Sequence, residues 1–209
     1  MTGAAARKPS DWTVDRFRSW IASRPDEERW ELIEGVAILM TPPTLTHQRI
    51  ASNLERLLND ALEAHDPSRL AFQRAGLDLR PDVPNYQPEP DVVVLDAEFA
   101  LDQRYSERFY LAAEVISATN NRKEREDDAV WAEKKRAVYR DHPHCSCVLV
   151  IEQDRYEVRL DLRTDTGWTS RTLTDPEDLI EIPRFGFQCR VADLYRQTPL
   201  GRERHAARG

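Results

Sequence analysis

The chain has 209 residues, 40% hydrophobic and 32% charged, enough for one well-buried core, too short for two full domains and too apolar for global disorder. A formal net charge of −7 argues against a protein that coats nucleic acid nonspecifically, because phosphate neutralisation needs clustered Lys and Arg. No apolar stretch reaches the ~18 residues of a membrane span, and MTGAAARKPSDW has no signal-peptide core, so a cytoplasmic protein is expected.

In chain order, residues 1–12 read as a tail. A helix is predicted from Val14 to about Ala22, with Thr13 as N-cap and Val14, Phe17, Trp20 and Ile21 on one face. WELIEGVAILM places two apolar runs around Glu34-Gly35, the pattern of a β-hairpin whose Gly supplies a positive φ. The clearest helix follows, from about Thr46 to Ala64, with Ile50, Leu54, Leu57, Leu58 and Ala61 in one stripe. AFQRAGLDLRP alternates as a strand, PDVPNYQPEP is a proline-laden loop, and VVVL and LAAEVIS are buried strands.

A charged stretch beginning near Arg122 leads into a helix to about Arg140, stopped by His142-Pro143. VLVIEQD and RYEVRLDLR read as a hairpin turned near Asp154. WTSRTL and the region around Ile180 supply short strands, VADLYR a closing helix, and residues 199–209 a basic tail. The order predicts an α+β domain over 13–198, a mixed sheet flanked by helices.

Two acids sit where burial is expected. Asp91 directly precedes Val92-Val93-Val94-Leu95, and Glu114 is the one charged residue within Leu111–Ile116. A buried carboxylate costs several kcal/mol unless it is paired, hydrogen-bonded or metal-bound. On neighbouring strands the two would suit Mg²⁺, and alternation adds Gln87 and Glu89 to the face of Asp91 if the extended backbone starts early. The plainer alternative is that each acid pairs with an Arg or ends a strand.

Other signals point away from function. His142, His144, Cys145 and Cys147 are zinc-ligand types but lack a second pair at finger-like spacing. Cys145, Cys147, Leu149 and Ile151 alternate like an inward strand face, and an odd count of three cysteines fits a reducing compartment. The cluster Arg122-Lys-Glu-Arg-Glu-Asp-Asp reads as a solvated stretch whose bases could also meet a DNA backbone. The chain has no Gly-rich phosphate loop, which removes an NTPase.

The succession WELIEG, TPPTLTHQRIASNLERLL, QPEPDVVVL, LAAEVIS and EKKRAVY resembles a bacterial restriction-endonuclease-like family grouped with the PD-(D/E)XK nucleases, over about residues 13–195. The resemblance implies a restriction-endonuclease-like core and an endonuclease that hydrolyses DNA with Mg²⁺, for which Mn²⁺ can substitute. It implies Asp91 and Glu114 as metal ligands, with the main-chain carbonyl of Val115. The motif's lysine would fall at Ile116; in this family a helix lysine in Lys-x-x-x-Tyr takes its place, here Lys135 with Tyr139, or the adjacent Lys134.

Glu31 and His47 match recurring family positions, as an acid one layer out from the metal and a phosphate contact. Their plainer roles are a hairpin surface charge and a helix N-terminal polar group. The rival functional readings are a catalytically silent nucleic-acid-binding or interaction module and a hydrolase of another phosphate ester. A homodimer is one way such an enzyme would cut both strands.

Overall fold

The computed structural model describes residues 12–25, 27–80, 82–116 and 122–208, with side chains outside 122–129 and 204–208. Helix α1, Val14–Ile21, is capped by the Thr13 hydroxyl and buries Val14 and Phe17. Strands β1 (Trp30–Ile33) and β2 (Val36–Leu39) pair antiparallel with Ile33 opposite Val36, leaving Glu34-Gly35 as a two-residue turn. Both turn residues are left-handed, φ 51° and 72°, the type I′ pattern that matches strand twist. Alternation on β1 sends Trp30 and Leu32 into a small core with α1, and Glu31 and Ile33 to the other face.

Helix α2, Leu45–His65, starts at the Thr44 cap and lays Ile50, Leu54, Leu58 and Leu62, all fully buried, on one face of the main sheet. Each such side chain contributes roughly 1.5–3 kcal/mol by leaving water. The expected single strand over 71–81 is two pieces. Strand β3 is Arg69–Phe72; the chain then turns at Arg74, φ 56°, and β4 (Gly76–Leu77) leaves to pair with another segment. Alternating polarity alone does not reveal such a break, because the pattern resumes after it.

The remaining strands are β5 (Val92–Asp96), β6 (Tyr105–Ser106, the parallel partner of β4) and β7 (Leu111–Ile116). Helix α3, Arg122–Asp141, leads to β8 (Cys147–Glu152), β9 (Val158–Thr164) and β10 (Gly167–Leu173). A second hairpin of β11 (Leu179–Ile182) and β12 (Phe187–Arg190) precedes α4 (Val191–Leu194). Where a tail is predicted, Pro199–Arg208 are helical as α5.

The main sheet has the order β10-β9-β8-β7-β5-β3, and only β7 and β8 run parallel, joined by the α3 crossover. It is therefore mixed, as expected for an α+β domain. Helix α2 covers one face; α3 and the first hairpin cover the other. Cys147 packs with Leu149 and Ile151 on the α2 side, but Cys145 precedes the strand and joins the opposite core with Val148, so it does not continue the predicted inward face. Both thiols are buried and unpaired, and burial pushes Cys145 up to about 12. Among the described residues no helix is long and apolar enough to cross a membrane.

Candidate active site

The pairing of β5 with β7 sets the site. Val92 lies opposite Ala113, so Asp91, just outside β5, falls beside Glu114 at the end of the sheet. On β7, Leu111, Ala113 and Val115 enter the α2-side core, which turns Ala112, Glu114 and Ile116 toward α3. Asp91 shares the parity of Val93 and Leu95, which belong to that same α3-side layer. The two carboxylates thus line one pocket and do not diverge across the sheet.

Glu114 is held from α3. Lys135 and Tyr139, one helical turn apart, reach its two oxygens: Nζ lies 2.6 Å from Oε2, and the Tyr139 hydroxyl donates to Oε1 at 2.8 Å. Lys135 Nζ also donates to Glu31 Oε2 at 3.2 Å, and Glu31 Oε1 accepts from the Glu89 N–H at 3.2 Å. Asp91 is held from two other directions. Its Oδ1 lies 2.9 Å from His47 Nε2 on α2, and its Oδ2 accepts from the Val115 N–H at 2.7 Å. Glu31, Glu114 and Lys135 are only 3–5% exposed.

The charges do not balance. Burial, reinforced by the Asp91 and Glu31 carboxylates and opposed by Lys135, pushes Glu114 up to about 8. Burial alone would lower Lys135, yet Glu114, Glu31 and Asp91 hold it well above the usual ammonium range. For this tightly coupled pair the physical outcome is a lysine that stays charged and a surplus of negative charge that retains a proton at Glu114. Burial would also raise Asp91, but the hydrogen bond from the His47 ring, the Lys135 charge and the Val115 N–H outweigh it and keep the carboxyl below its ordinary value. Burial and then Glu31 raise Glu89, against Arg29 and Arg74 nearby.

A divalent cation fits this surplus. The donors are hard oxygens, the type that binds Mg²⁺ or Mn²⁺, and Asp91 and Glu114 each offer lone pairs beyond those engaged. Among the described residues no three His, Cys, Asp or Glu side chains are placed to hold one ion together. A set of two carboxylates and the Val115 main chain is smaller than such a group.

Tyr139 ties α3 to Glu114 through a wholly buried hydroxyl. Tyr139→Phe is expected to cost about 1.5–3 kcal/mol, the range for a hydrogen bond to a charged or strongly polar partner. Urea unfolding measures it, and an unchanged midpoint would show that the contact contributes nothing.

Several predicted positions separate. Lys134 turns to Glu34 at the hairpin turn and lies over the Trp131 ring, away from Glu114. Gln87 leaves the Asp91 face: it bridges to Leu32, and its Oε1 accepts from Arg18 at 2.6 Å. Residues 88–90 are not strand, so the early extended start does not occur. Glu31 is no surface charge, and His47, in the first turn of α2, has a buried side chain. His142 stacks on Phe109. The side chains of residues 122–128 lie outside the described set.

Arg29, Arg74 and Trp131, unremarked in the sequence, also line the pocket.

The family model Uma2, described as putative restriction endonuclease, matches residues 14–192. A crystal structure of a putative nuclease belonging to DUF820 from Anabaena variabilis superposes with a TM-score of 0.61 at 16% identity, over 88% of this chain and 97% of that one. At that identity the likeness is one of fold. Among curated proteins none matches.

Proposed function

This chain belongs to the Uma2 family of putative restriction endonucleases, and on that premise we propose that it is a metal-dependent endonuclease hydrolysing DNA phosphodiester bonds at the Asp91–Glu114–Lys135 site. The observation that carries the reading is the buried ammonium of Lys135, 2.6 Å from Glu114, where the strand itself offers only Ile116. Ile116 is packed with Ala132 and Val150, so the helix supplies the cation that β7 does not.

Asp91, Glu114 and the main chain at Val115 would hold Mg²⁺ or Mn²⁺. When bound, that ion neutralises phosphate charge and lowers the pKa of a coordinated water. Lys135, held protonated by its carboxylate neighbours, is suited to donate to a phosphate oxygen as negative charge develops there; it is too basic to take a proton from water. Glu31 keeps the ammonium aimed, His47 and the Val115 N–H fix the Asp91 rotamer, and Tyr139 fixes Glu114. The three unpaired cysteines agree with a cytoplasmic setting.

The test is relaxation of supercoiled plasmid by the purified protein in Mg²⁺ or Mn²⁺, and its loss in excess chelator. Absence of cleavage together with salt-dependent DNA binding would favour the silent binding module instead.

Metal affinity should depend on pH through Glu114. A carboxyl raised to about 8 is protonated at pH 6 and competes with the cation, so Mg²⁺ binding is expected to tighten up to about tenfold per pH unit from 6 to 8 and then level off. Without metal the sign reverses. The raised group contributes stability below its unfolded value near 4.5 and loses it as pH rises through 8. Calorimetric titration at three pH values measures the first effect; a pH-independent affinity would place the proton elsewhere.

A further inference from the structure

The shape of the pocket bears on which form of DNA can reach it. We infer that the strand taken by this site is unpaired, single-stranded or locally opened DNA, and not intact duplex; this rests on the nuclease reading above.

The first ground is depth. Glu31, Glu114, Lys135 and His47 are buried, and the Asp91 side chain is 15% exposed. A phosphate that shares an ion with these carboxylates must approach within about 2.1 Å of that ion, so the sugar–phosphate backbone has to descend to the floor. Duplex DNA is stiff over about 150 base pairs and carries its phosphates on the outside of a rod, which suits protruding groups. A single strand bends at each nucleotide and can enter a recess.

The second ground is the wall. Met40, Pro43 and Trp131 line the pocket beside the carboxylates, an apolar and aromatic surface within a hydrolytic site. Met40 is 39% exposed, and Leu45, two residues beyond Pro43, and Val130, next to Trp131, are exposed as well. Base-paired DNA hides its base faces in the stack. An unpaired base offers a π face that such a wall can take up, and stacking of this kind tolerates any sequence.

The third ground is charge. The described pocket residues include two arginines, Arg29 and Arg74, both close enough to Glu89 to act on its ionisation. That suffices for one or two phosphates of a single strand.

The experiment uses the full wild-type chain in Ca²⁺, a hard cation that takes the same oxygen ligands, with binding read by fluorescence anisotropy on a labelled 24-nucleotide strand and on the same sequence as a blunt duplex. Cleavage of both substrates by the wild-type protein is measured in parallel. The expected result is at least about tenfold tighter binding of the single strand. Trp131→Ala should remove about tenfold of that affinity while leaving duplex binding alone, and Trp131→Phe should retain most of it. Equal binding of the two forms, indifference to Trp131→Ala, or binding of neither form overturns the inference.

The two readings fail separately. A preferred single strand that the wild type never cuts would sink hydrolysis and leave the strand preference standing. Equal cutting of duplex and single strand would do the reverse.

Discussion

Asp91→Asn is expected to lower DNA cleavage by at least about 10²–10³-fold, the scale on which an enzyme loses a group that stabilises transition-state charge. Asparagine keeps the shape but removes the negative charge, so the site can no longer balance a divalent ion. It also cannot accept from both His47 Nε2 and the Val115 N–H, because one of its two terminal atoms is a donor. A stability loss of about 1–3 kcal/mol should accompany the lost activity, from the polar contact left unmade. His47→Ala provides the comparison: it acts only through the orientation of Asp91 and should cost about 10–100-fold. Cleavage by Asp91→Asn within threefold of wild type would remove this residue from the chemistry.

Lys135→Met should have the largest effect on the folded state. The substitution leaves Glu31 and Glu114 buried with no ammonium between them, and breaking a buried ion pair from one side typically costs about 3–5 kcal/mol. The loss should grow with pH as the stranded carboxyls give up their protons. Adding Glu31→Gln removes one of the two stranded acids, so the double variant should recover part of the stability. It should recover no cleavage, because the donor to the phosphate is still missing. Urea unfolding of the two variants at pH 6 and 8, beside the plasmid assay, separates the contributions. A single variant as stable as wild type would mean that the ammonium makes no net contribution to the fold.

What could be foreseen follows from local periodicity. Asp91 and Glu114 stood out because a charge inside or beside an apolar run conflicts with burial, and both do sit in the pocket. The stripe of α2 and the hairpin turn at Glu34-Gly35 were legible for the same reason: periods of 3.6 and 2, and a left-handed turn, are properties of a few consecutive residues. Periodicity alone did not separate Lys134 from Lys135; only the resemblance to a Lys-x-x-x-Tyr pattern favoured Lys135. Adjacent helical positions differ by about 100°, and only the docking of α3 on β7 decides which one is buried.

The amino-acid order by itself determined most of the helices and strands, though not the helix Pro199–Arg208, and marked Asp91 and Glu114 as carboxylates that would need a partner. It did not reveal the strand break at Arg74, the departure of Gln87 toward Arg18, or the burial of Glu31 on a hairpin whose sequence suits a surface. Those were decided by tertiary structure, through the pairing of β5 with β7 and the packing of α3 and the first hairpin over that pair. The reason is physical. His47 and Asp91 are 44 residues apart and Glu31 and Lys135 are 104 apart, so neither contact has a local pattern; each exists only once long-range burial has brought its charges out of water together.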